Sequence, residues 1–114
     1  KLLRVVKGTG LEIIVDIRKK SKTYGLWSGF KLSDVNNAIL WVPPGFANGF
    51  LALEDDTHLC YKTTALHNGD AEGAIHPLKS GLNLDWTLSE KEILLSKKDK
   101  IAQNFMEYNQ NPKF

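Results

Sequence analysis

The run Leu11 to Arg18 constrains the fold more than any other segment: Leu11, Ile13, Val15 and Ile17 alternate with Glu12, Ile14, Asp16 and Arg18. A period of two is that of a strand, so the first set shares one face of a sheet and the second set the other. Ile14 puts an apolar side chain on the otherwise polar face, which predicts a strand covered on both sides. Similar runs recur at Lys1 to Val6, Tyr24 to Leu32, Ala38 to Val42, Phe46 to Leu53 and Thr57 to Thr64. Turn residues separate them: Lys7-Gly8-Thr9-Gly10, the polar Lys19 to Lys22, Ser33 to Asn37, and Pro43-Pro44-Gly45, where neither proline can donate to a ladder. The acidic tip Glu54-Asp55-Asp56 predicts a hairpin between the last two runs. Short strands at this spacing predict an all-β sandwich or barrel.

After Thr64 the alternation weakens. Ser89 followed by Glu92 fits a capping box, and Ile101, Phe105 and Tyr108 fall at i, i+4 and i+7, which predicts a helical tail over residues 87–114. At 114 residues the chain is one domain, 1–114. With 42% hydrophobic and 25% charged residues it falls in the range of globular domains, which excludes a disordered or low-complexity chain. Fifteen basic against thirteen acidic residues leave a formal charge of +2, too little to argue for a nucleic-acid or membrane-surface partner. The single cysteine, Cys60, excludes an intramolecular disulfide, and no apolar run approaches the roughly 18 residues of a spanning helix. A cytoplasmic location is expected. The chain opens inside a strand pattern and without Met, so an N-terminal portion is expected to precede Lys1.

Several polar residues invite a chemical reading. His58, His67 and His76 lack the compact His-x-His plus Glu pattern of a metal-binding barrel, so no metal is expected. His58, beside Asp55 and Asp56, reads as a surface residue of the hairpin. Gly8 and Gly10 lack the third glycine and the following helix of a phosphate loop, which leaves a β-turn. Tyr61 shares a strand face with Leu59 and Thr63, and the residues alone also allow a core tyrosine bonded to the backbone. Cys60 alternates to the other face and reads as a small buried hydrophobe. Arg18, Lys19, Lys20 and Lys22 form a solvated basic turn, in which Arg18 has the fork geometry to hold a diphosphate. Trp27, Trp41 and Trp86 are core or interface candidates, with stacking on a nucleobase as the functional alternative.

Five blocks in order, Lys-Leu-Leu-Arg-Val-Val (1–6), Val-Asp-Ile-Arg-Lys-Lys-Ser-Lys-Thr-Tyr-Gly (15–25), Leu-Trp-Val-Pro-Pro-Gly-Phe-Ala-Asn-Gly-Phe (40–50), Cys-Tyr-Lys-Thr-Thr (60–64) and Leu-Leu-Ser-Lys-Lys-Asp (94–99), resemble the dTDP-4-dehydrorhamnose 3,5-epimerase family. The resemblance implies a cupin-type double-stranded β-helix, or jelly roll, that forms a homodimer by strand exchange, and a chain lacking the family's N-terminal third. It implies a nucleotide-sugar substrate, commonly a dTDP-linked 4-keto-6-deoxyhexose epimerised at C3 and C5, with neither metal nor cofactor. The chemistry needs a base to remove a proton beside the ketone, a cation or donor to stabilise the enolate, and an acid on the opposite face.

Carried onto this sequence, the resemblance makes Tyr61 the acid and puts Lys1 beside the enolate oxygen, with Asn48, His67, Lys79 and Arg18 as substrate-binding candidates. Tyr61, Lys1 and Asn48 are then expected to converge inside the barrel. The family's base is a histidine upstream of Lys1, and Lys79 falls where its supporting aspartate belongs, unless the loop shifts Asp70 or Asp85 into that place. Asn48 stands where the family has a second histidine, and His67 where a tyrosine is common. These departures predict a weak epimerase from this chain alone. They keep open a non-catalytic cupin that binds the sugar nucleotide, and an enzyme with a narrower outcome, inverting one carbon or isomerising the ketone.

Overall fold

A computed structural model describes residues 1–114. Its strands are β1 (Leu2–Lys7), β2 (Thr9–Asp16), β3 (Trp27–Ser33), β4 (Leu40–Trp41), β5 (Phe46–Ala52) and β6 (His58–Lys62). They form two antiparallel three-stranded sheets, ordered β4-β1-β6 and β3-β2-β5. Strands adjacent in sequence change sheets at every connection except β2 to β3, and two of these corners, β1 to β2 first and β5 to β6 second, meet each other. Gly8 makes the first corner with φ +77°, and a Cβ there would lie 2.7 Å from Thr57 Oγ1 of the second. Only glycine fits that close crossing without strain.

The expected hairpin of Phe46–Leu53 with Thr57–Thr64 does not form, because β5 pairs with β2 while β6 pairs with β1. Alternation specifies which face of a strand is apolar but not which strand lies beside it. Sending β5 and β6 to different sheets lets both bury their apolar faces in one shared space. The crossing is pinned by Leu53 N–H donating to Thr9 O at 2.9 Å, by Asp56 at φ 56° and by an exposed Lys7–Asp56 ion pair.

β2 is covered on both sides, as Ile14 predicted. Leu11, Ile13, Val15 and Ile17 pack with Trp86 and Tyr108 of the C-terminal segment. The opposite face joins Leu3, Val5, Leu32 and Val42 in a core between the sheets, with Ile14, Phe46, Phe50 and Leu59 against it. Each fully buried side chain of this size contributes about 1.5–3 kcal/mol, so the molecule is three layers: sheet, sheet and C-terminal wrap.

Some boundaries move. The Tyr24–Leu32 run becomes strand only at Trp27, because Gly25 at φ +78° donates its N–H to Asp16 O and ends a turn first. Ala38–Val42 contracts to the two residues of β4. Helix in the tail is confined to α1 (Lys97–Lys100) and α2 (Phe105–Gln110), with a 3-10 turn at Gly69–Ala71 before them. Ser89 does pair with Glu92, but the pair closes a single turn and starts no helix. Phe105 and Tyr108 pack inward as their spacing predicts, whereas Ile101 is 86% exposed. No helix is long and apolar enough to cross a membrane.

Candidate functional site

The polar alternates of β2 point into the space between the sheets. In the ladders Glu12 lies opposite Phe30 of β3 and Phe50 of β5, and Asn48 lies opposite Ile14, one pair along the same face. From the other sheet, the alternation that buries Leu3 and Val5 turns Lys1 inward, and Val42 N–H donates to Lys1 O at 2.8 Å. Lys1 Nζ donates to Asn48 Oδ1 at 3.1 Å, and Asn48 Nδ2 donates to Glu12 Oε1 at 2.6 Å. An ammonium only donates and a carboxylate only accepts, so one orientation of the Asn48 amide satisfies both neighbours. The three side chains thus form a polar thread from exposed Lys1 to fully buried Glu12.

Glu12 Oε2 is buried without a hydrogen-bond partner. Burial pushes the Glu12 carboxyl up to about 7, against the smaller opposing effects of the Asn48 hydrogen bond and the Lys1 charge. Reading the sequence did not single out Glu12. The signal was Ile14: if the second face of β2 is covered, the carboxylate beside it on that face is buried too.

Tyr61 pairs directly with Leu3 across the β1–β6 ladder and so belongs to the inner face. Its ring is nonetheless 62% exposed and borders the groove lined by Leu2, Arg4, Val6 and Cys60. The fold thus joins Lys1 to Asn48, but the expected convergence does not extend to Tyr61, which shares their face by strand register and hydrogen-bonds to neither. His67, Lys79 and Arg18 are held elsewhere. His67 Nδ1 lies 3.2 Å from Glu72, which also binds Lys98 Nζ at 2.5 Å. Glu72 is held below the usual carboxylate range, first by Lys98, with smaller contributions from His67 and Lys1. Lys79 is exposed, and its backbone N–H and that of Leu78 donate to Nδ1 of buried His76. Asp70 sits in the exposed 3-10 turn, and Asp85 accepts from Thr87 N–H.

The fork expected of Arg18 for a diphosphate is turned onto Asp16, with Nε to Oδ1 at 2.9 Å and Nη2 to Oδ2 at 2.8 Å, and the guanidinium lies 4.7 Å from the centre of the Phe46 ring. Ser21 and Thr23 hydroxyls also donate to Asp16 Oδ2. Beside this turn lies an open cleft of about 270 Å³, lined by Ile14, Asp16, Thr23, Trp27 and Phe46 among others, which adjoins the Asn48 position through Ile14.

Two expectations about single residues need correction or refinement. Cys60 is exposed rather than buried, because it lies opposite Arg4 on the uncovered outer face of β1 and β6. Trp86 is core, with its Nε1–H donating to Pro77 O, while Trp41 is 49% exposed on the sheet edge.

Two sheets of this connectivity, with an ammonium, an amide and a carboxylate hydrogen-bonded in line between them, define a cupin-type jelly roll with an interior polar thread. The comparisons give the same class: a structure from Elizabethkingia anophelis described as dTDP-4-dehydrorhamnose 3,5-epimerase superposes with a TM-score of 0.91 at 34% identity, covering 95% of this chain and 59% of that one. The chain belongs to the dTDP-4-dehydrorhamnose 3,5-epimerase family, whose model matches residues 1–107. A relative of that name from Methanothermobacter thermautotrophicus is 38% identical over 113 residues, 98% of this chain and 60% of its own length. A structure from Legionella pneumophila in complex with dTDP-4-keto-L-rhamnose matches with a TM-score of 0.87 at 38% identity, covering 92% of this chain and 55% of that one. This chain therefore spans little more than half the length of the relatives it matches.

Proposed function

We propose that this chain forms the acid and oxyanion side of an epimerase site for a nucleoside-diphosphate 4-keto-6-deoxyhexose. The observation that carries the reading is the Lys1–Asn48 contact on the inner face that Tyr61 shares, in a chain whose relative holds a dTDP-linked 4-keto sugar. With no residue here assigned as base, water takes the proton from C3 or C5, and the electron pair moves onto the C4 oxygen as an enolate. The Lys1 ammonium neutralises that oxygen, and the Tyr61 hydroxyl returns a proton from the other face and regains one from solvent. The cleft beside Asp16 is the place for the nucleotide, with Trp27 and Phe46 as aromatic surfaces. A sugar-nucleotide substrate supports a cytoplasmic site of action.

The reading is tested by incubating the protein with dTDP-4-keto-6-deoxyglucose in deuterated water. Slow incorporation of deuterium at C3 or C5 is expected, reduced about 100-fold or more in Lys1→Ala, as for loss of one positioned group. Tyr61→Phe is expected to retain exchange but lose inverted product. Binding without any exchange favours the non-catalytic cupin, and failure to bind overturns both readings.

We also propose that a second copy of the chain covers the outer face of the β4-β1-β6 sheet. Leu2, Val6, Ile39 and Trp41 are exposed there around a shallow groove, and both edges of the sheet are open to another strand.

A further inference from the structure

We propose that Glu12 is a positioning residue for the Lys1 ammonium, acting through the Asn48 amide. The inference rests on the role given to Lys1 above and adds the part of the site that aims it. A lysine ammonium is a point charge on a flexible stem, so its location at a reacting oxygen depends on what holds it. Here Asn48 Oδ1 holds it, and a free asparagine amide presents its oxygen or its nitrogen with equal ease. Glu12 removes that choice. With Oε1 2.6 Å from Nδ2, the carboxylate fixes the nitrogen toward itself and the oxygen toward Lys1.

Burial of Glu12 makes this hold costly. Its side chain is fully enclosed and Oε2 meets no donor, an arrangement that a stabilising role does not explain. The groups around it narrow its function further. β3 and β5 set Phe30 and Phe50 opposite it, β5 adds the neutral Asn48, and Lys1 acts on it from the other sheet. Asp16, further along the same face, is saturated by Arg18, Ser21 and Thr23. The single hydrogen bond of Glu12 is therefore the route by which it acts on the site.

Glu12→Asp and Glu12→Gln separate the geometry from the charge. Asp keeps the charge but withdraws it by one methylene, and is expected to lower affinity for dTDP-4-keto-6-deoxyglucose about tenfold or more while leaving affinity for dTDP unchanged. Gln keeps the reach and the accepting oxygen, and is expected to restore most of that discrimination. In the unliganded protein, NMR reads the same coupling: the Asn48 side-chain amide signals are expected to shift with the ionisation of Glu12 and to stay flat with pH in Glu12→Gln. Equal discrimination in wild type and Glu12→Asp, or an Asn48 amide that ignores Glu12, overturns the proposal. Wild-type protein that shows the amide coupling but does not bind the keto sugar nucleotide supports the Glu12–Asn48–Lys1 hold and overturns the role given to Lys1.

Discussion

Glu12 and Asp16 lie on one face of one strand and are driven in opposite directions by their surroundings. Asp16 is held well below the usual carboxylate range, first by the Arg18 fork and then, against burial, by Ser21, Thr23 and the Arg18 N–H. Glu12 has a single amide partner, so burial wins and its carboxyl rises from an ordinary 4.5 to about 7. A raised carboxyl favours the neutral form in the fold. The contribution of Glu12 to stability is therefore most favourable below about pH 4.5, falls as pH rises from there to about 7, and stays low above. The window corresponds to about 3 kcal/mol. Glu12→Gln is accordingly expected to stabilise the protein by up to about 3 kcal/mol at pH 8, with the gain vanishing by pH 4.5, as read by urea unfolding at the two pH values. The same carboxylate that positions Lys1 is thus expected to cost stability, the usual signature of a group kept for a site.

Among the elements, the turn from Arg18 to Leu26 depends most on one side chain. Asp16 accepts from Arg18, Ser21 and Thr23 while its carbonyl accepts from Gly25 N–H, so one residue closes the turn between β2 and β3. Its side chain is 2% exposed but that of Arg18 is 47% exposed, which softens the loss when the pair is broken. Asp16→Asn is expected to destabilise by about 2–3 kcal/mol, below the full figure for a buried pair. Because the Asp16 carboxyl is depressed, its contribution is present above the ordinary carboxylate pKa and lost as pH falls below it. The variant should therefore lose less stability than wild type between pH 4 and pH 2. The strand end placed too early from the sequence has a related origin: Tyr24 and Gly25 look like strand by composition, yet Tyr24 N–H donates to Ser21 O and Gly25 N–H to Asp16 O, which makes them turn.

At the scale of the molecule, the two faces of the sandwich differ in how they are covered. The C-terminal segment wraps the β3-β2-β5 sheet, whereas the outer face of β4-β1-β6 leaves Leu2, Val6, Ile39 and Trp41 exposed. If a second copy covers that face, sedimentation at micromolar concentration gives a dimer and Trp41→Glu shifts it to monomer without loss of secondary structure. A folded wild-type monomer under those conditions overturns the proposed association.

Alternation in Leu11 to Arg18, the Pro43-Pro44-Gly45 break and the ordered family blocks were enough to read an all-β jelly roll, a strand covered on both sides and the candidacy of Lys1, Asn48 and Tyr61, because strand period and turn chemistry are local properties of the chain. What the alternation left open was partnership. The sequence could not say that β6 joins β1 rather than β5, that Cys60 faces outward, or that Arg18 spends its fork on Asp16, because each follows from which surfaces meet. Glu12 is the sharpest case: its spacing was visible beside Ile14, but only the approach of Asn48 and Lys1 from two other strands turns a buried carboxylate into part of a site.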